Sequence, residues 1–233
     1  MLDPALKAEL LRSLGRLVKG LSALFWGLPL ALLICVKTAT SDWLKPLGIA
    51  PPLLANGLLF YGLWQLSHFQ KQERVWNHAL DRAKLLCIAN IGLSPFVFWW
   101  NQVPQVPLFS LALGLLTLSS LLFLFNLNHV LQRLTAMLPD ETLRHETNFF
   151  TSLNLYLLLA LVALAAVLLT LEQINSLPVI LIDFLKAFEL VRQWVFVFLL
   201  LLPLAMTMTL IWKIKEAILT SAFEDRPPDH AAS

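Results

Sequence analysis

The 233-residue chain reads as an all-α integral membrane protein, a compact bundle of six transmembrane helices. Two observations predict this. Hydrophobic residues make up 58% of the chain and charged ones only 14%, against about 25% charged in soluble domains, so too few charged side chains remain to cover a water-facing surface. The apolar residues are also gathered into blocks of about twenty, the length that crosses a bilayer. A third observation, the placement of Lys and Arg, sets the direction of each crossing.

Residues 1–20 are expected to form an amphipathic interfacial helix. Asp3 can cap its start, and Pro4 suits the first turn, where a missing N–H costs nothing. Leu6, Leu10, Leu14, Leu17, Val18 and Leu21 fall at helical spacing, while Lys7, Arg12, Arg16 and Lys19 occupy the polar side. Such a helix would lie along the cytoplasmic leaflet near anionic headgroups, or dock on a partner subunit through Arg12, Arg16 and Lys19.

The membrane domain is expected over residues 21–213, with spans at about 21–37, 50–67, 85–100, 107–128, 151–171 and 191–212. Asn56, Gln65, Asn90 and Pro95 dilute the second and third blocks. In the fifth, Ala160, Ala163, Ala165 and Ala166 offer small surfaces for close helix packing. Between the fourth and fifth, Pro139 or Asp140 starts a helix, with Asp140 and Glu141 in the first turn favouring its dipole.

Before the sixth span lies an extracytoplasmic amphipathic segment. Ser176 is its cap, Pro178 stands just inside it, and Asp183, Lys186, Glu189 and Arg192 recur three residues apart. Asp183, Lys186 and Arg192 are its expected docking groups. One continuous helix over 178–212 would reach about 50 Å, more than a bilayer with its headgroups, so a bend is expected near Arg192. Residues 214–233 read as a short cytoplasmic tail whose end, EDRPPDHAAS, has the composition of a disordered segment.

With six crossings, 13 of the 17 Lys and Arg residues fall on one side and four, Lys37, Lys45, Lys186 and Arg192, on the other. The positive-inside rule therefore places both termini in the cytoplasm, and the short loops suit a bacterial inner membrane. Trp26, Trp64, Trp99, Trp100, Trp194 and Trp212 lie at or near span ends, as an aromatic belt requires.

A weak repeat pairs Leu63–Lys71 with Leu124–Gln132 and matches His68 to His129 at two expected span ends. A duplicated two-span unit would explain it. These histidines are weak candidates for holding a cofactor. Haem would need convergent imidazoles beside small residues, and while Gly57 and Gly62 lie near His68, nothing as small precedes His129 in its last two turns. No cofactor or metal is expected. Cys35 and Cys87 stand inside apolar blocks and read as small packed hydrophobes.

Other chemistry lacks its residues. The net charge of +2 carries no basic tract for nucleic acid. No Gly-rich phosphate loop, His-Glu-x-x-His pair or nucleophile elbow occurs, so no catalytic residue is assigned and the protein is not expected to be an enzyme. Its partners are membrane lipids and other membrane subunits.

Two functions compete. The leading expectation is a non-catalytic component that scaffolds or anchors a larger inner-membrane assembly. The alternative is a transporter or lipid-handling protein for a neutral or amphipathic substrate, using the helices that contain Pro and Asn. Its path would be lined by Asn56, Asn90, Ser94 and Asn126. A polar cavity lined by these four favours the alternative. Their packing together without a void favours the scaffold.

Overall fold

A computed structural model describes residues 4–69, 73–137, 141–173 and 179–224; the side chains of 4–11, 143, 168–169, 171–173, 179–194, 196 and 221–224 lie outside that description. Seven α-helices account for nearly all of it: α1 (Pro4–Thr40), α2 (Ala50–Leu66), α3 (Arg74–Leu93), α4 (Pro95–Gln102), α5 (Pro107–Ala136), α6 (Glu141–Gln173) and α7 (Val179–Glu224). Five segments are long and apolar enough to cross a membrane: Arg12–Thr40, Arg74–Gln102 (α3 and α4 together), Pro107–Ala136, Arg144–Val167 and Val197–Thr220. Their outer faces carry exposed Leu33, Leu85, Leu111 and Phe198, a surface suited to lipid. This is a multi-pass membrane protein.

Proline sets several boundaries. It opens α2, α4 and α5 from within their first turns, where its fixed φ and absent N–H cost nothing. Between α3 and α4, Pro95 cannot donate to the Ile91 carbonyl, and the Ser94 hydroxyl donates to that carbonyl instead at 2.9 Å. The chain therefore re-aims at Ser94 without stranding a buried acceptor. A 3-10 turn at Asp42–Leu47 joins α1 to α2 and ends at Gly48, whose φ of 60° suits glycine.

The helices pack around a closed circuit, α1 on α2, α2 on α3, α3 on α5, α5 on α6, α6 on α7 and α7 on α1. α1 and α2 approach most closely and run antiparallel. A Cβ on Gly20 would stand 2.9 Å from the Gly62 backbone oxygen, and one on Gly27 would meet Leu59. Only glycine permits that approach at Gly20.

Several helices outrun their expected spans. α1 is one 37-residue helix, about 56 Å long at 1.5 Å per residue, so the amphipathic start and the first span form a single rod. Its apolar stripe packs into the bundle: Leu17 and Leu21 are fully buried while Arg12, Arg16 and Lys19 are exposed on the other side. α7 is likewise one helix of 46 residues, with no helical break at Arg192. The helix continues into the expected tail as far as Glu224, and Ile214 and Ile218 of that stretch are buried in the core.

In α6 the buried face carries Thr147, Thr151, Asn154, Leu158 and Leu161, whereas Ala160, Ala163 and Ala166 are exposed. The repeat diverges structurally: α2 ends at Leu66, but α5 runs on to Ala136. Pro139, Asp140, Ser176, Pro178 and residues 225–233 lie outside the described residues, as do the side chains of Lys7, Asp183, Lys186, Glu189, Arg192 and Trp194.

Candidate functional site

The bundle has two unlike ends. One holds the start of α1, the end of α2, the start of α3, the end of α5, the start of α6 and the end of α7, and most of the Lys and Arg residues. Leu17, Leu66, Trp76, Leu80, Leu131, Leu134 and Ile214 fill it, each fully buried.

Towards the opposite end the packing opens into a cavity of about 350 Å³, within the roughly 300–1,000 Å³ typical of small-molecule sites. It lies between α1 and α5, with α2, α3, α4 and α7 contributing to its walls. Leu28 and Ala31 of α1 face Leu116 and Leu124 of α5 across it, and Leu200 and Leu204 of α7 contribute a third side. No Asp, Glu, Lys, Arg or His lines it; the polar lining is Asn56, Asn90, Thr117 and Ser120, with the Cys35 thiol beside them.

Most of this polarity is already engaged. Asn56 donates from Nδ2 to the Pro52 carbonyl at 2.9 Å, and the Thr117 hydroxyl donates to the Leu113 carbonyl at 2.9 Å. The Cys87 thiol donates to the main-chain oxygen of Asn56 at 3.7 Å, a link between α3 and α2 behind the wall. Asn90 differs. Its side chain is 2% exposed, and its Oδ1 is buried without a hydrogen-bond partner.

Of the four residues expected along a path, the structure brings Asn56 and Asn90 to the cavity. Ser94 is fully buried one turn beyond Asn90, with its hydroxyl committed to Ile91. Asn126 is outside the cavity, and its Nδ2 donates to its own helix at Leu122, 2.8 Å away. His68 lies in the turn just after α2 and His129 within α5, and α2 and α5 each pack on α3. His68 Nδ1 lies 2.9 Å from the Trp64 carbonyl oxygen. The room that Gly62 offered beside it is taken by Leu24 and Gly20 of α1.

Directly below the cavity, one turn from Leu124 and Leu204, lies a buried polar knot that joins three helices. The Thr207 hydroxyl accepts from Nδ2 of Asn128 (2.9 Å) and of Asn154 (3.1 Å) and donates to the Pro203 carbonyl (2.8 Å). That uses the one donor and two acceptor sites a hydroxyl has. Asn154 lies inside the expected fifth span, 151–171, but is not singled out by that reading. The signal was present: positions 147, 151, 154, 158 and 161 alternate steps of four and three, which is one helical face. At the basic end, Glu146 pairs with Lys213, whose ammonium also sits 5.8 Å from the Phe150 ring centroid.

Comparison with family models, curated proteins and solved structures yields no match to this chain.

Proposed function

We propose that the protein is a lipid-handling membrane protein whose cavity takes up a neutral apolar or amphipathic molecule from the bilayer. The cavity carries this reading: aliphatic walls, the neutral amides of Asn56 and Asn90, and no ionisable carboxylate, amine or imidazole. Transport of ions would call for such charged groups. A pure scaffold would gain contacts by closing the void, because its lining forfeits dispersion energy. The role is binding and movement, without a catalytic step.

The scaffold reading retains one support. At 46 residues, α7 is about 69 Å long, against about 40–45 Å for a bilayer with its headgroups. That excess offers partner subunits a rod to dock on.

We also propose α2 as a sixth crossing, with both termini cytoplasmic in a bacterial inner membrane. α2 has 17 residues, the lower limit of about 17–25 for a spanning helix. Gly62 lies against Gly20 and Leu59 against Gly27, so α2 runs back along the same stretch of α1 that crosses. Six crossings divide the 17 Lys and Arg residues 13 to 4; leaving α2 out divides them 11 to 6, a weaker bias.

Mild-detergent purification followed by native mass spectrometry tests the function. We expect a stoichiometric neutral lipid on the wild type and its loss in Ala31→Trp, which fills the cavity. Equal lipid on both proteins would overturn the reading, and stoichiometric foreign subunits on a lipid-free protein would favour the scaffold. For topology, single cysteines at Asp42 and Glu73, in a chain lacking Cys35 and Cys87, should react with an impermeant thiol reagent from opposite sides. Labelling from one side would remove the sixth crossing.

A further inference from the structure

We propose that Asn90 selects the occupant of the cavity, and that this occupant is a neutral lipid with a free hydroxyl, of the long-chain alcohol class. The inference rests on the reading that the cavity holds a bilayer molecule, and it adds which molecules qualify.

The chemistry of the walls narrows the class. A charged headgroup entering the cavity would meet no Lys, Arg or His, and an uncompensated charge in a dry site is penalised far more than a neutral polar group. A plain hydrocarbon would satisfy the aliphatic walls and leave the Asn90 amide stranded. Asn56, Thr117 and Ser94 have already turned a donor onto a backbone carbonyl. Asn90 has Oδ1 buried and unpaired, at the edge of a space that a ligand can fill.

A buried acceptor without a partner is a cost that a donor from the ligand removes. A primary amide presents an acceptor and a donor side by side. A hydroxyl matches both within the volume of one oxygen: its O–H donates to Oδ1, and its lone pair accepts from Nδ2. Asn90 stands in the last turn of α3, where its main-chain carbonyl still accepts from the Ser94 N–H at 2.9 Å, so the amide is held on a rigid helical segment beside the void.

The test compares three ligands that share one chain: 1-hexadecanol, its methyl ether, and hexadecyl phosphate. Each is titrated into the full-length protein in mild detergent and counted by native mass spectrometry. The wild type is expected to retain the alcohol about tenfold better than the ether, the worth of one well-made hydrogen bond, and to retain the phosphate least. Asn90→Leu should keep the ether and bring the ratio to about one, while Asn126→Leu should leave it unchanged.

Equal retention of alcohol and ether by the wild type would overturn the hydroxyl inference and leave the cavity reading standing. An unchanged preference in Asn90→Leu would overturn the role of Asn90. Tightest retention of the phosphate would overturn neutrality. Retention of none of the three would overturn the cavity reading beneath the inference. The comparison on the wild type needs no variant to fold.

Discussion

The basic end of the bundle and the end that holds the cavity are made from the same kinds of residue and are filled differently. At the basic end Leu17, Leu66, Trp76, Leu131 and Ile214 are all at 0% exposure; around the cavity Leu28, Ala31, Leu116 and Leu124 stay at 6–8%. We infer that solvent explains the difference. Helices of 37 and 46 residues outrun a hydrocarbon layer of about 30 Å, and in the proposed orientation their surplus stands in water on the cytoplasmic side. There the hydrophobic effect drives apolar stripes together. Within lipid it does not, because acyl chains solvate leucine as well as another leucine does. In that proposed orientation a void is cheapest in the half that lipid would embed, which is the side of the bundle that holds the cavity.

Stability measurements on purified protein can break this contrast. The largest effect is expected from Trp76→Ala. Emptying that fully buried site should cost about 3–5 kcal/mol, or a Tm drop of roughly 6–20 °C for a chain of this length. Leu116→Ala only enlarges an existing void and should cost less than half as much. Equal Tm losses would mean that the two ends are packed alike.

Next is Gly20→Ala. Its Cβ would meet the Gly62 backbone oxygen at 2.9 Å, and forcing α1 from α2 should cost about 1–3 kcal/mol. Gly57→Ala, with nothing within 4 Å of its new Cβ, should leave Tm level or raise it, since alanine is the better helix former. A rise in Tm for both would refute the close approach.

Overfilling separates the ends in the opposite sense. Ala83→Leu, at a fully buried site beside Leu80, should cost about 1–3 kcal/mol, whereas Ala31→Leu grows into the cavity and should be close to neutral. A matching loss at Ala31 in thermal melts would show that the void is not available to a side chain.

Two smaller effects sharpen the picture between the ends. Thr207→Val removes the hydroxyl shared by Asn128 and Asn154 and should cost about 0.6–2 kcal/mol. Breaking the half-exposed Glu146–Lys213 pair with Lys213→Met should cost about 0–1 kcal/mol, and less in high salt. A larger loss in Lys213→Met than in Thr207→Val would move the joint between α6 and α7 to its basic end.

Much of the architecture was legible in the residues. Composition and block length are enough for a helical membrane protein, because no other side-chain mix can face lipid over so many stretches of that length. Proline in the first turns marks where α2, α4 and α5 begin, and the four-three spacing from Thr147 to Leu161 marks the buried face of α6. What periodicity cannot give is the neighbour. It shows that Asn56, Asn90 and Asn126 are polar within apolar helices, yet only the packing of α3 between α2 and α5 puts the first two beside a cavity and leaves the third outside it.

Helix continuity was equally a tertiary decision. Residues 4–20 and 214–224 look like an interfacial helix and a tail, since charges interrupt their hydropathy. They run on as α1 and α7 because Leu17, Ile214 and Ile218 find one another in the bundle. Sequence by itself determined which stretches are apolar and helical, a property of each segment's own side chains. The ends of the rods, the cavity and the unpaired Asn90 depend on which faces meet, and that is settled only when all the helices pack at once.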